Sequence, residues 1–328
     1  MGSDTTDASY WLNWRFLLCA VWVLSCMAVA SVLIWRYEGS EQEGGEVGEG
    51  EHEAIGTLYE DESWRPCLTT IHPAWLLAFR GVAFSVFVAL LVVNIVVDGG
   101  SILYYYTQWT FLLVTVYFGL GLLLSAKGCH QFLKNGINRT SLDAELGTYA
   151  ASSNDVSANN PDRRKNPAFY DHLNSRKVAG LGGYLFQIIY QTNAGAVMLT
   201  DFVFWLVIFP FLAIKDYNID VIQIAMHSTN VVFLLGDTTL NSLRFPWFRI
   251  AYFMLWTSIY VIFQWIIHAC VSIWWPYPFL DLSLPHAPIW YFIGAVLQVP
   301  CYAVFPLIIK LKHSLLMRWF PQSCYLSS

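Results

Sequence analysis

The chain is 328 residues long, 56% apolar and 17% aromatic, with 12% charged residues and a formal net charge of −5. Soluble domains carry roughly 25% charged residues, so a mostly water-facing surface is excluded and lipid becomes the main solvent. The acidic balance leaves no general footprint for nucleic acid, and the seven cysteines include no Cys-x-x-Cys pair, so no zinc site, disulfide framework or cofactor is expected.

About 20 consecutive apolar residues cross ~30 Å of hydrocarbon as a helix, and such runs recur along the chain. The first, near residues 14–35, follows a segment carrying Asp4 and Asp7 in place of the basic start of a signal peptide. Residues 1–35 are therefore expected to form a short exported tail and a retained first membrane helix. Residues 36–74 form a cytosolic loop whose Glu-rich stretch, Glu41 to Glu53, repels itself and cannot support a core, so disorder is expected. The second and third spans fall near 75–97 and 104–126, making a unit over 75–126. A long basic connection, 127–189, follows, with a Ser/Asn-rich middle at Ser152-Ser153-Asn154 and the patch Arg163-Arg164-Lys165. Four spans near 190–214, 221–240, 250–273 and 289–311 make a carboxyl-terminal region, 190–311, and 312–328 is a tail. The expected fold is all-α, a polytopic transmembrane bundle of about seven spans, of which the fifth is the least apolar. No fixed-period repeat or inverted pair of halves points to a repeat-built transporter.

Short cytosolic loops collect Lys and Arg. With 127–189 inside, Arg36, Arg65, the cluster from Lys127 to Lys177, Arg244, Arg249, Lys310, Lys312 and Arg318 are all inside. Arg15 and Lys215 flank the outer side, and Arg80 is embedded in the second span. The amino terminus is accordingly expected outside or lumenal and the carboxyl terminus cytosolic. The sequon Asn138-Arg139-Thr140 is then expected to stay bare, and Met1-Gly2, which opens a loose myristoylation pattern, would not meet a cytosolic transferase.

An ionisable group at mid-span costs about +2.5 to +3.5 kcal/mol on insertion scales, so those present should face the bundle interior. The fifth span carries His227, Asn230, Asp237 and Asn241 near one helical face. Asp201 in the fourth span and Arg80 in the second have opposite charges suited to a buried ion pair, or to a relay with His227. Asn193, Asn230, Asn241 and Gln264 read first as interhelical hydrogen-bond glue, contributing about 0.6 to 2 kcal/mol per contact. His227 differs, because imidazole exchanges protons near neutral pH. Thr107 opens the third span at a depth matching His227, and a threonine hydroxyl becomes a nucleophile once a neighbouring base takes its proton. The two are a minimum for covalent ester hydrolysis, whereas Thr110 and Thr115 fit the commoner role of bonding their own backbone. Asp237 lies nearly three turns beyond His227, about 15 Å along the axis, too far to orient it.

Tyr106-Thr107-Gln108-Trp109, His227-Ser228-Thr229-Asn230 followed by Asp237, and Phe245-Pro246-Trp247 through Tyr252 resemble the insect rolling-stone family, closest to its plant-type members. His268 followed by Trp274-Trp275-Pro276-Tyr277-Pro278-Phe279-Leu280 is similar to the ending of a more distant branch. That branch comprises the androgen-induced and androgen-dependent membrane proteins, which hydrolyse fatty acid esters of hydroxy fatty acids. The resemblance covers most of the chain from about residue 75 onward and omits the first span and the acidic and basic loops. It implies a threonine nucleophile and a histidine base, matched by Thr107 and His227, with Thr110-Phe111 a competing match for the threonine. Asn230 would then orient the imidazole or stabilise an oxyanion, and His268 would be a second acid or base. The implied substrate is a lipid ester arriving sideways from the outer leaflet, and the implied partners are membrane lipids. Because the rolling-stone branch is linked to myoblast fusion, the alternative is a non-enzymatic membrane-organising, fusion or adhesion protein whose cytosolic loops recruit partners that the sequence does not name. Against a rhodopsin-like receptor, no Asp-Arg-Tyr closes the third span and no Asn-Pro-x-x-Tyr occurs in the seventh.

Overall fold

Asn13 opens the first long helix, its side-chain oxygen accepting from the amides of Arg15 and Phe16, two of the N–H groups that a helix start leaves unpaired. The computed structural model describes residues 4–38, 56–152, 177–212 and 221–320. After a single turn, α1 (Ala8–Trp11), α2 (Trp14–Tyr37) runs for 24 residues. In α3 (Pro73–Asp98), His72 Nδ1 caps the Ala74 amide, and the helix ends at Gly99, whose φ of 67° glycine adopts without strain. The remaining helices are α4 (Tyr106–Ser152), α5 (Leu181–Val203), α6 (Phe209–Leu212), α7 (Val221–Leu240), α8 (Ile250–Cys270) and α9 (Ala287–Trp319). A π-helical turn, Phe204–Ile208, joins α5 to α6.

Among the described residues, six segments are long and apolar enough to cross a membrane: Trp14–Tyr37, Pro73–Val97, Tyr106–Lys134, Leu181–Ile208, Trp247–Cys270 and Ala287–Trp319. The shortest, at 24 residues, reaches about 36 Å at 1.5 Å per residue. The chain is therefore an all-helical bundle of the multi-pass membrane type. Leucines and valines such as Leu17, Leu24, Val96, Val299 and Leu307 point outward, as a lipid solvent allows. The 20-residue α7 is not among the six. Its polar stripe is what separates it: His227, Asn230, Asp237 and Thr238 are all buried within the bundle. Six helices among the described residues are thus apolar enough to cross, and α7 is the one of the expected seven that its polar stripe sets apart.

α5 is the central helix, buried over 61% of its span against 22% for α2, α3 and α9. α4, α7, α8 and α9 all pack against it. Two apolar cores flank it, one built largely on α3, α4 and α7 and the other on α2, α8 and α9. Gly195 permits the approach of α8, since a Cβ there would collide with the Phe253 ring. Across the first core, Arg80 Nε bonds Asp237 at 2.8 Å, and its Nη1 reaches Ser125 Oγ and the Ser63 carbonyl, each at 2.7 Å. Tyr117 and Asn241 also donate to Asp237, so the buried ion pair is hydrogen-bonded on all sides.

Basic side chains gather at one end of the bundle. There Arg249 bonds Glu38 at 2.6 Å, Arg244 bonds Glu62 at 3.1 Å, and Lys127 and Lys177 both approach Glu60. Lys312 donates to the Thr238 and Asn241 carbonyls at 2.8 Å each, completing the end of α7. Arg15 bonds the Ser283 carbonyl at the opposite end.

Two loop boundaries differ from expectation. Residues 56–72 are not free chain: Leu58, Glu62, Ser63, Trp64 and Cys67 are buried across the basic end, and Tyr59 and Pro66 form isolated bridges with Val178 and Asn241. Apolar anchors resume after the acidic stretch, which explains the change. Likewise, α4 continues as helix through Asn138 to Ser152, and α5 begins at Leu181 rather than near 190. Met1-Gly2, the acidic stretch 41–53 and the patch 163–165 lie outside the described residues.

Candidate functional site

The register of three helices brings Thr107, His227 and Asp201 to one depth. Gln108 Nε2 donates to the Met226 sulfur at 3.7 Å and Tyr117 donates to Asp237, so facing positions on α4 and α7 differ by 118 and 120 in number. That offset sets Thr107 against His227. α5 runs antiparallel to α7, Tyr190 meeting Thr238 at 2.8 Å and Asp201 meeting His227 at 3.0 Å. The start of α4 is gripped from α8, where the Tyr260 hydroxyl and Gln264 Nε2 donate to the Tyr104 carbonyl at 2.7 and 2.8 Å. Tyr106 Oη lies 2.9 Å from Thr257 Oγ1. The backbone leading into Thr107 is thereby held against α8.

His227 Nδ1 lies 3.0 Å from Asp201 Oδ1, and the Phe204 ring stacks on the imidazole with centroids 3.9 Å apart and planes at 12°. The π-helical turn begins at Phe204, the kind of local widening that re-aims a side chain. With Nδ1–H donating to the carboxylate, Nε2 is the nitrogen left to take a proton. Asp201 Oδ2 is buried without a partner.

Thr107 and His227 line the same cavity, of about 390 Å³, whose walls come from α2, α5, α8, α9 and the segment after α8. Phe202, Trp290 and Ile293 in its lining are 40%, 43% and 44% exposed, so it reaches the lateral surface of the bundle between the end of α5 and α9. Thr107 Oγ1 lies 3.4 Å from Tyr277 Oη, and among the described residues no hydrogen bond joins Thr107 to His227. Beyond the cavity, Tyr10 donates to Asp281 at 2.8 Å and accepts from Trp275, fastening α1 over this end. Burial and the charge of Asp281 hold the Tyr10 phenol well above its usual range.

No protein family, curated protein or solved structure matches the chain. The site therefore stands on its own geometry. Of the two threonines, Thr107 faces the cavity, whereas Thr110 is fully buried outside the lining with Oγ1 unpartnered. Asn230 is fully buried, neither of its amide atoms has a partner, and the imidazole bonds Asp201 instead. His268 also lies outside the lining, its Nδ1 donating to the Gln264 carbonyl at 2.8 Å and its ring stacked on Trp275 at 3.7 Å. Arg80 pairs with Asp237 and not with Asp201. No group of three His, Cys, Asp or Glu side chains among the described residues is placed to hold a metal ion.

Two residues enter the site that sequence reasoning did not place there, while Asp201, expected to pair with Arg80 or to join a relay with His227, takes the second of those places. Tyr277 carries a weak signal, a tyrosine held between Pro276 and Pro278. Gln298 is an amide near the middle of the apolar run 289–309.

Proposed function

We propose that this protein is an intramembrane hydrolase of lipid esters, of the kind its rolling-stone-like and androgen-induced resemblance implies. Thr107 is the nucleophile, His227 the general base, and Asp201 the carboxylate that holds the imidazole. The observation that carries this reading is that Thr107 and His227 line one apolar-walled cavity and that Asp201 holds the imidazole from behind. His227 Nε2 takes the proton as Thr107 Oγ1 bonds the ester carbonyl carbon. The imidazolium then returns that proton to the departing alkoxide as the tetrahedral intermediate collapses to an acyl-threonine and a free alcohol. Water, deprotonated by the same nitrogen, releases the fatty acid and restores the hydroxyl. The Tyr277 hydroxyl, 3.4 Å from Thr107 Oγ1, is placed to donate to the oxyanion. Attack requires Thr107 to turn towards the imidazole, an adjustment of the kind that substrate induces in empty sites.

The basic end is assigned to the cytosol by the positive-inside rule, which puts the cavity in the outer leaflet and its lateral opening against acyl chains. α7 counts as a seventh crossing in this reading, because it runs beside α5 from the cavity level to the basic end. A non-enzymatic, membrane-organising role is favoured by one observation, the bond of Thr107 to Tyr277 in place of His227.

The deciding experiment compares wild type, Thr107→Ala and His227→Ala in detergent for labelling by a fluorophosphonate and for turnover of a lipid-ester panel. Wild type is expected to label and turn over while both folded variants do neither. A wild type inert to probe and panel removes the hydrolase reading and favours the membrane-organising one.

A further inference from the structure

The cavity has a second polar pole. Gln298 lines it from α9, two turns beyond Tyr291 and so about 10 Å further along the helix. The residue is only 4% exposed, and its Oε1 is buried with no hydrogen-bond partner. Six other polar side chains in the lining are partnered. Tyr106 bonds Thr257, Thr200 the Val197 carbonyl, His227 Asp201, Ser258 the Met254 carbonyl, Tyr260 the Tyr104 carbonyl and Tyr291 the Leu280 carbonyl. A buried amide facing apolar walls is expected to be satisfied, and among the described residues nothing partners this Oε1. A molecule filling the cavity is placed to supply the missing partner.

We infer that Gln298 reads a hydroxyl group on a single-chain lipid ligand, at a point along the ligand separate from the ester held beside Thr107. A hydroxyl both donates and accepts, so it satisfies the amide whichever way round the carboxamide is set. A carbonyl or ether oxygen can only accept, and a hydrocarbon leaves the amide unpaired. The apolar walls between the two poles accept the intervening chain. The inference shares its cavity with the function proposed above, but it concerns recognition and is tested by binding alone.

The test uses non-hydrolysable ethers bound to the purified full chain in detergent. One pair, 1-O-hexadecylglycerol and its di-O-methyl derivative, places the hydroxyl on the headgroup. The other, 12-hydroxyoctadecyl methyl ether and octadecyl methyl ether, places it on the chain. In at least one pair, wild type is expected to prefer the hydroxylated member about tenfold, as one hydrogen bond to an otherwise unpaired buried group implies. Gln298→Leu should lose that preference while still binding the hydroxyl-free member, and Thr107→Ala should keep it. The pair that shows the preference locates the hydroxyl. Equal binding within both pairs, or a preference that survives in Gln298→Leu, overturns the inference. A wild type that turns over no ester yet shows a preference lost in Gln298→Leu leaves the inference standing and removes the hydrolase reading.

Discussion

Asp201 is a carboxylate in an apolar helix, where an unpartnered charge would cost about 2.5 to 3.5 kcal/mol on insertion scales. Its partner is His227, and the bond decides which imidazole nitrogen is free. Asparagine at 201 keeps the shape but can accept or donate, so the tautomer with Nε2 free is no longer enforced. Asp201→Asn is expected to lower kcat by about 10³- to 10⁴-fold with little change in KM. Steady-state turnover of the preferred ester measures this, and a fall of less than about threefold would make Asp201 a packing residue. Arg80 is the opposite case, a charge whose partners are all structural. Removing it strands Asp237, so Arg80→Met should destabilise the fold by about 3 to 5 kcal/mol, with Asp237→Leu in the same chain restoring most of the loss. Denaturation midpoints in detergent distinguish the single from the double variant. At this scale the sequence pointed to Thr107 and His227 only through matching depth in apolar runs, a weak signal because threonine is common in membrane helices, and the structure adds that both line one cavity. The pairing of charges was not legible. Asp201, Arg80, Asp237 and His227 admit two pairings, and only the relative depths of α3, α5 and α7 choose between them.

Those depths depend on where helices begin, which hydropathy marks poorly. α5 begins at Leu181 because the glycines at 182 and 183 are tolerated in its exposed first turn, although a sequence reader stops at them. α4 continues past its apolar stretch as a polar helix, for which run length carries no signal. Apolar runs therefore reveal that the spans exist and leave their ends open by several residues. Close packing on α5 supplies a test at the scale of elements. A side chain at Gly195 meets the Phe253 ring, which is itself fully buried and has nowhere to retreat. Gly195→Val should separate α5 from α8 and destabilise by about 1 to 3 kcal/mol. Gly182→Val meets nothing within 4 Å and should be close to neutral. Thermal midpoints of the two variants, measured side by side in one detergent, check the contrast. Equal midpoints would mean that the α5–α8 contact does not limit stability.

The two ends of the bundle differ in chemistry, and the difference bears on how the whole molecule sits in a membrane. At one end, Arg244, Arg249, Lys127, Lys177 and Lys312 anchor the segment 56–72 and the end of α7 through carboxylates and backbone carbonyls. At the other end, Tyr10, Asp281 and Arg15 tie α1 and α2 to the connection between α8 and α9. Arginine and lysine held in short connections are retained on the cytosolic side during insertion, so the asymmetry predicts the direction of every helix at once. Thr70 and Leu284 are exposed at the two ends and report on them separately. In a Cys270→Ser background, Leu284→Cys is expected to react with a membrane-impermeant maleimide on intact cells. Thr70→Cys should react only after permeabilisation. The reverse pattern would turn the cavity towards the cytosolic leaflet, and substrate would then have to be sought among cytosolic-face lipids. Labelling of both positions from one side would mean that an even number of crossings lies between them, where the five helices α3, α4, α5, α7 and α8 predict opposite faces, and α7 would lose its place as a full crossing.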